Sequence, residues 1–351
     1  MHVSFGVIRG QNWFPMPGMG EARSVKQLRA KGQIINLILP NDAADPWMIY
    51  HDGFYYYSES KSNQRSIRIR RSRTIAGIGQ DPGVCVWDAP PGRRNSHDIW
   101  APELHRIGEK WFIYYAADDG DNENHRMWVL ESEGDDPQGK YHCRGELHTD
   151  GWAIDGTIFK QNDGRLFFIW SGWPGRRDGQ QNLYIAPMKD PFTLAGPRTL
   201  ICMPDQPWEQ LAMPICEAPQ VLKRNGDIFI VYSASGSWTP DYCLGLLHNR
   251  TNDLLNPASW QKHGPVFQKT EEVWGVGHCS FVKSLCQTED WILYHSKSDK
   301  KHGWKDRDVH AKRFTWTSNG LPDFGTPPPR QTQAAPVFPE PLVTSTIPLA
   351  A

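Results

Sequence analysis

Apolar residues in this chain fall in short clustered runs instead of recurring with helical spacing. Five runs are rich in aromatic or branched residues: Phe54-Tyr55-Tyr56-Tyr57, Trp111-Phe112-Ile113-Tyr114, Leu166-Phe167-Phe168-Ile169, Ile228-Phe229-Ile230-Val231 and Trp291-Ile292-Leu293-Tyr294. Each is preceded by a short segment carrying an acidic residue or a histidine. These segments are Ala44-Asp45-Pro46-Trp47, Trp100-Ala101-Pro102-Glu103, Ile154-Asp155-Gly156, Cys216-Glu217-Ala218-Pro219 and Gly277-His278-Cys279-Ser280. A third run, alternating or apolar, follows each pair and begins near Ser66, His125, Asn182, Asp241 and Asp308. Asp52-Gly53, Asp163-Gly164, Asn225-Gly226 and the run Asp118–Asn122 supply turns between them.

The aromatic runs start at 54, 111, 166, 228 and 291, so the unit repeats every 55 to 63 residues. That is enough for a four-stranded sheet with its loops. No stretch shows helical periodicity beyond a turn or two. The pattern predicts an all-β five-bladed β-propeller over residues 36–325, flanked by an N-terminal extension (1–35) and a Pro-rich C-terminal tail (326–351). A radial repeat that returns an ionisable group at one phase of each unit gathers those groups on one axis.

Composition supports this reading. The 351 residues include 16 Trp, 14 Phe, 11 Tyr, 31 Gly and 28 Pro, which suits strands and tight turns. A formal charge of -1 gives no electrostatic reason to expect nucleic acid or an anionic membrane as partner. The basic run Arg68–Arg73 is expected to face solvent from a strand. Residues 1–34 contain no apolar core of signal-peptide length and no segment is long enough to span a membrane. The chain is therefore expected to be cytoplasmic, or extracellular where a leader has been removed or the start misassigned. Seven cysteines without CxxC spacing indicate buried thiols, not a zinc site or a dense disulfide framework. The sequon Asn249-Arg250-Thr251 matters only for an exported protein.

Carboxylates converging on an axis among many tryptophans suit a carbohydrate. Aromatic faces stack on sugar rings, and paired carboxyls flanking a glycosidic bond can protonate the leaving oxygen while activating water or attacking carbon. Asp45 before Pro46 also suits a turn or cap, and Asp155 before Gly156 a bulge or turn. Glu217, at the start of an apolar strand, is harder to account for without a function. Glu103 has similar surroundings, and spacing does not rank it below the others. No GxGxxG followed by a helix, P-loop, HExxH or GxSxG is present. The acidic loop Asp118–Asn124 lacks the EF-hand pattern and reads as a solvated hairpin turn.

Together, Ala44-Asp45-Pro46, Ile99-Trp100-Ala101-Pro102-Glu103-Leu104-His105, Ile154-Asp155-Gly156, Ile169-Trp170-Ser171-Gly172-Trp173, Glu217-Ala218-Pro219, Gly277-His278-Cys279-Ser280-Phe281-Val282 and Asp323-Phe324-Gly325 resemble glycoside hydrolase family 43. The likeness spans about 36 to 325 and is nearest the exo-acting α-L-arabinofuranosidase branch. It implies an inverting exo-α-L-arabinofuranosidase releasing L-arabinose from α-1,5-linked arabinan or arabino-oligosaccharides. Asp45 would be general base, Glu217 general acid, and Asp155 the carboxylate that orients the acid and raises its pKa. Glu103 falls at a recurring family motif without a proton-transfer role.

The resemblance also implies sugar contacts from Trp100, His278 and Arg307, the last also touching the orienting Asp155. No cofactor is required for the chemistry, although His278 lies where some members hold an axial calcium or other ion, largely through water. The partner is then the arabinan or arabino-oligosaccharide substrate, and the enzyme is expected to be a monomer. A β-xylosidase, or an arabinofuranosidase trimming arabinoxylan side chains, is the alternative within the family. A non-catalytic carbohydrate-binding propeller is the alternative outside it, and the presence of all three carboxylates argues against that. Trp47 and Asp155-Gly156-Thr157 depart from the usual family pattern, which touches the pocket walls more than the acids.

Overall fold

The computed structural model describes residues 37–61 and 64–329. The extension (1–35) and all but the start of the tail (326–351) lie outside those residues. Blade one comprises β2 (Ala44–His51), β3 (Phe54–Ser60), β4 (Ser66–Ser72) and β5 (Val84–Asp88), preceded in the chain by β1 (Leu37–Leu39). Blade two is β6 (His97–Ile107), β7 (Lys110–Asp118), β8 (Arg126–Ser132) and β9 (Tyr141–Leu147). Blade three is β10 (Ala153–Lys160), β11 (Leu166–Gly172) and β12 (Asn182–Asp190), its outer edge shared by β13 (Thr193–Leu194) and β14 (Thr199–Cys202). Blade four is β15 (Cys216–Arg224), β16 (Asp227–Ala234), β17 (Cys243–Asn249) and β18 (Gln261–Phe267). Blade five is β19 (Trp274–Lys283), β20 (Asp290–Lys297) and β21 (Arg307–Trp316), with β22 (Pro322–Asp323) beside β21.

All pairings within the blades are antiparallel, and the five sheets make a five-bladed β-propeller. Helical segments among the described residues are 3-10 turns of at most five residues. The outermost strand of blade five is β1, so the start of the described chain pairs with β21 and closes the ring. The sequence repeat does not reveal this, because β1 is only three residues long and lies ahead of the first unit.

The aromatic runs are the second strands of the blades. They are apolar without alternation because both of their faces are covered by neighbouring blades. In β7, Phe112, Tyr114 and Ala116 face the core shared with blade three, whereas Trp111, Ile113, Tyr115 and Ala117 face the core shared with blade one. In β16, Ile228, Ile230 and Tyr232 face blade three, while Phe229 and Val231 face blade five. Five cores thus lie between five blades. Trp111, Trp170, Tyr114 and Tyr232 are fully buried in them, and truncating one such ring to alanine typically costs about 3–5 kcal/mol.

Exposure rises outward, as in β9, where His142, Cys143 and Arg144 reach solvent. In the basic run, Arg68, Arg71 and Arg73 are exposed as expected, but Arg70 turns inward onto Glu59 (3.2 Å). All seven cysteines are free thiols. Cys202, Cys216, Cys243 and Cys279 are buried, and Cys85, Cys143 and Cys286 are exposed. Cys202 and Cys216 group with Glu209, whose carboxylate already carries the Lys262 ammonium 2.9 Å from both oxygens. Asn249 of the sequon is buried, its side chain closing a turn through Thr251, Asn252 and Asp253. Among the described residues no helix is long and apolar enough to cross a membrane.

Candidate active site

The first strands β2, β6, β10, β15 and β19 lie beside one another around the axis, and each carries the same defect near its start. Ala44 and Trp47 pair with Ser60 and Ser58, so three steps on β2 oppose two on β3. The same offset occurs between Trp100 and Glu103, Ile154 and Thr157, Glu217 and Gln220, and Gly277 and Ser280. Each bulge holds one extra residue and re-aims the side chains around it.

The second residue of every bulge has positive φ: Asp45 at 53°, Ala101 at 43°, Asp155 at 54°, Ala218 at 50° and His278 at 45°. None is glycine. Such backbone costs about 1–3 kcal/mol per residue and persists only where surrounding structure enforces it. Pro46, Pro102 and Pro219 fill the third position, between the paired steps, where a missing N–H removes no ladder bond. A side chain at Gly156, the third position in blade three, would collide with the Phe168 ring, its Cβ falling 2.1 Å from the ring edge. That explains why this unit has no proline there.

Asp45, Asp155 and His278 therefore occupy equivalent positions, Glu217 and Trp100 stand one residue earlier, and Glu103 two later. The bulge reading and the functional reading of Asp155-Gly156 are thus compatible, since the bulge is what presents the side chain.

Asp45 is surrounded by cationic and imidazole groups. Its Oδ1 lies 3.2 Å from His278 Nδ1, 3.4 Å from His295 Nδ1 and 3.6 Å from Arg307 Nη1. Burial alone would raise this carboxyl, but His278, His295 and Arg307 outweigh it and hold Asp45 well below the usual carboxylate range. Burial depresses both imidazoles, His295 to about 4. Arg307 supplies a positive charge that does not titrate in the ordinary range. The Asp45 backbone N–H also approaches His295 Nδ1 (3.3 Å), so this ring meets both the main chain and the side chain of Asp45.

Glu217 has the opposite environment. Burial lifts it to about 7; the Tyr242 hydroxyl, donating to Oε1 over 2.7 Å, opposes the rise, the charge of Asp45 adds to it, and Arg307 opposes it. Asp155, whose Oδ2 accepts the Ala218 N–H (3.2 Å), is itself pushed up by burial and then by the charges of Glu217, Asp45 and Glu103. Two buried carboxyls so placed do not both ionise readily. Desolvation is the largest cause of the rise at Glu217, and the coupling between the two carboxyls acts on both.

The remaining candidates are placed as follows. His278 stands against Asp45, its backbone N–H donating to Ser233 Oγ (2.7 Å). Arg307, the first residue of β21, contacts Asp45, and the contact expected with Asp155 is replaced by this one. Trp100 is half-buried and stacks on His125 at 3.9 Å. His125 is clamped by Asp118 (2.9 Å) and backed by Trp152, which stacks on Trp173. Asp118 is fully buried, so the acidic loop is solvated only beyond its first residue.

Glu103 is bound on both oxygens, by Gln220 across the axis and by His105 at 2.8 Å. That leaves it committed to joining blades two and four. Calcium prefers several oxygen ligands; here both Glu103 oxygens are engaged and His278 Nδ1 faces Asp45. Beyond the bulges, Trp47 and Thr157 line a cavity of about 430 Å³ with His105 and Gln220. The two departures from the family pattern thus bear on this cavity.

Three residues of the site escape a sequence reading: Tyr242, His295 and Gln220. His295 lies opposite Gly277 in the register of blade five, and Gln220 closes its bulge. A bulge-aligned comparison of the five units would have found both. Tyr242 lies just ahead of β17, in the third run of its unit and away from the first-strand segments that carry the other axial groups.

The family model for glycosyl hydrolases family 43 matches residues 34–322. The chain is 34% identical over 305 residues to alpha-L-arabinofuranosidase 43 of Humicola insolens, covering 82% of this chain and 62% of that protein. It is 33% identical to the extracellular exo-alpha-(1->5)-L-arabinofuranosidase of Streptomyces avermitilis, covering 82% and 63% respectively. It therefore spans a little under two thirds of the length of these two relatives. The crystal structure of an alpha-L-arabinofuranosidase from Lactobacillus brevis superposes with a TM-score of 0.79 at 33% identity, covering 84% of this chain and 97% of that one. Fold, motif order and these matches agree: the chain belongs to glycosyl hydrolases family 43.

Proposed function

We propose that this protein is an inverting exo-α-L-arabinofuranosidase acting on α-1,5-linked arabinan or arabino-oligosaccharides, with residues 36–325 as its catalytic unit and no cofactor needed for the chemistry. The observation that carries the reading is the divergence of two carboxyls at one axis. Asp45 is held ionised among His278, His295 and Arg307, and buried Glu217 is lifted to about 7. Titratable groups pushed apart in this way can serve as base and acid at one pH.

Asp45 takes a proton from the attacking water. Glu217 delivers its proton to the glycosidic oxygen as the bond to the anomeric carbon breaks. Asp155 is held as an acceptor by the Ala218 N–H, and Tyr242 occupies Glu217 Oε1, leaving Oε2 to carry the acidic proton. Trp100, backed by the His125–Trp152–Trp173 column, offers an aromatic face to the sugar. His278 and Arg307 orient Asp45 and reach sugar hydroxyls. A water-held ion on the axis would add fixed positive charge near His278.

Arabinose specificity is supported by the relatives, several of which are arabinofuranosidases by name. The Streptomyces relatives are described as extracellular, and a polymeric substrate calls for the same placement here. We take the catalytic unit to act as a monomer. Incubation with arabinan, arabinoxylan, arabino-oligosaccharides and xylobiose, with products sized by mass spectrometry, tests the reading. Release of single arabinose units from the α-1,5-linked substrates is expected; xylose as the only product overturns it.

A further inference from the structure

The exposed apolar surface near the site is concentrated on the loops of blades four and five. Among the described large apolar side chains left exposed, Trp304 is the most exposed (55%), and Leu211 follows (46%). Trp304 lies on the β20–β21 connection and half-buried Trp238 on the β16–β17 connection. Both loops leave their sheets at the end that carries the bulges, since Ser233 pairs with Glu217 and His295 with Gly277.

The two loops are tied together and to the site. The rings meet edge to face at 5.6 Å, Trp304 Nε1 donates to Ser237 Oγ (3.0 Å), and Gly303 N–H donates to the Trp238 carbonyl (2.8 Å). The Trp304 carbonyl accepts from Arg307 Nε (2.9 Å), and the same guanidinium reaches Asp45. On the other side, Gly236 N–H donates to Leu211 O, and Ser235 N–H donates to Ile215 O, two residues before Glu217. A large aromatic face held this firmly at a rim, and left in water, is built to be covered.

The proton from Glu217 must reach the oxygen that stays with the departing sugar, so that sugar leaves along the rim of blade four, where the Trp238 loop begins. We propose that Trp304 and Trp238 form the platform for the departing portion of the substrate, stacking on the C–H face of the sugar that follows the cleaved bond. This inference rests on the function proposed above and extends it to the leaving-group side.

The test compares Trp304→Ala with wild type on α-1,5-linked arabinotriose and on methyl α-L-arabinofuranoside, whose leaving group has no ring. The platform predicts a fall of about tenfold in kcat/KM on the triose, less than about twofold on the methyl glycoside, and recovery in Trp304→Phe. Equal effects on both substrates, or none on the triose, overturn it. A wild type that hydrolyses both arabinosides leaves the broader reading standing whichever way the variant behaves. A wild type that cleaves xylobiose and neither arabinoside overturns the arabinose reading instead, and the platform is then decided by the same comparison between xylobiose and methyl β-D-xyloside.

Discussion

Tyr242 donates its hydroxyl to Glu217 Oε1 over 2.7 Å, and its ring passes where the side chain of any residue but glycine at 277 would stand. A Cβ at Gly277 would fall 2.2 Å from the tyrosine ring. The hydrogen bond in blade four thus depends on the bulge sequence of blade five. It also favours the ionised form of Glu217, in opposition to burial.

Removing the hydroxyl therefore has a signed consequence. The acid role proposed for Glu217 requires it protonated, so kcat/KM in wild type should be high below pH about 7 and fall as pH rises through it. Asp45 sits too low to set an acidic limb in the ordinary range. In Tyr242→Phe the alkaline limb should move upward. A limb that stays in place or moves down would show that the tyrosine does not tune the acid.

Substitution of either carboxyl should cost several orders of magnitude in turnover on natural glycosides. Glu217→Gln should recover disproportionately on substrates with acidic leaving groups, which need little proton donation, and Asp45→Asn should not. Steady-state kinetics on a graded series of aryl arabinofuranosides reads this directly. A parallel loss across the series in Glu217→Gln would remove the glutamate from the acid role.

The first sugar released should carry the anomeric configuration opposite to the bond cleaved. A base acting through water needs its carboxyl roughly 6.5–9.5 Å from that of the acid, whereas a nucleophile stands about 5–5.5 Å away. Proton NMR in the first minutes of hydrolysis, before mutarotation, decides between them. The retained anomer, or a covalent adduct on Asp45, would falsify the inverting mechanism.

Glu217 should weaken the fold at high pH while serving catalysis. Its folded pKa of about 7 lies above the ordinary 4.5, so the folded state binds the proton more tightly than the unfolded chain. The associated stability is complete below about 4.5 and is lost as pH rises through 7. Glu217→Gln, neutral at every pH, should exceed wild type by roughly 3 kcal/mol at pH 8–9 and match it near pH 4. Urea unfolding at the two pH values measures the difference, and a gap that does not change with pH would contradict a strained carboxylate.

Chelation should leave turnover within about twofold, since neither proton transfer is assigned to a metal. Activity lost to EDTA and restored by calcium would show that an axial ion is part of the working site.

The sequence by itself determined the repeat, the strand type and the identity of the axial residues. Those features are local: a continuous apolar run such as Trp111–Tyr114 is readable as a strand buried on both faces, and Asp52-Gly53 is readable as a turn. Asp45, Asp155 and Glu217 recur at nearly one phase because each follows from the same strand start.

Only the closed ring decided what those residues meet. Arg307 and His295, both in blade five, reach Asp45 in blade one, and Tyr242 reaches Glu217 through the space left by Gly277. Asp118, in a loop that reads as solvated, is buried beneath His125. The reason is physical: a carboxyl's pKa depends on its desolvation and on charges a few ångströms away. Around this axis those neighbours come from other blades, at separations in sequence that no local pattern records.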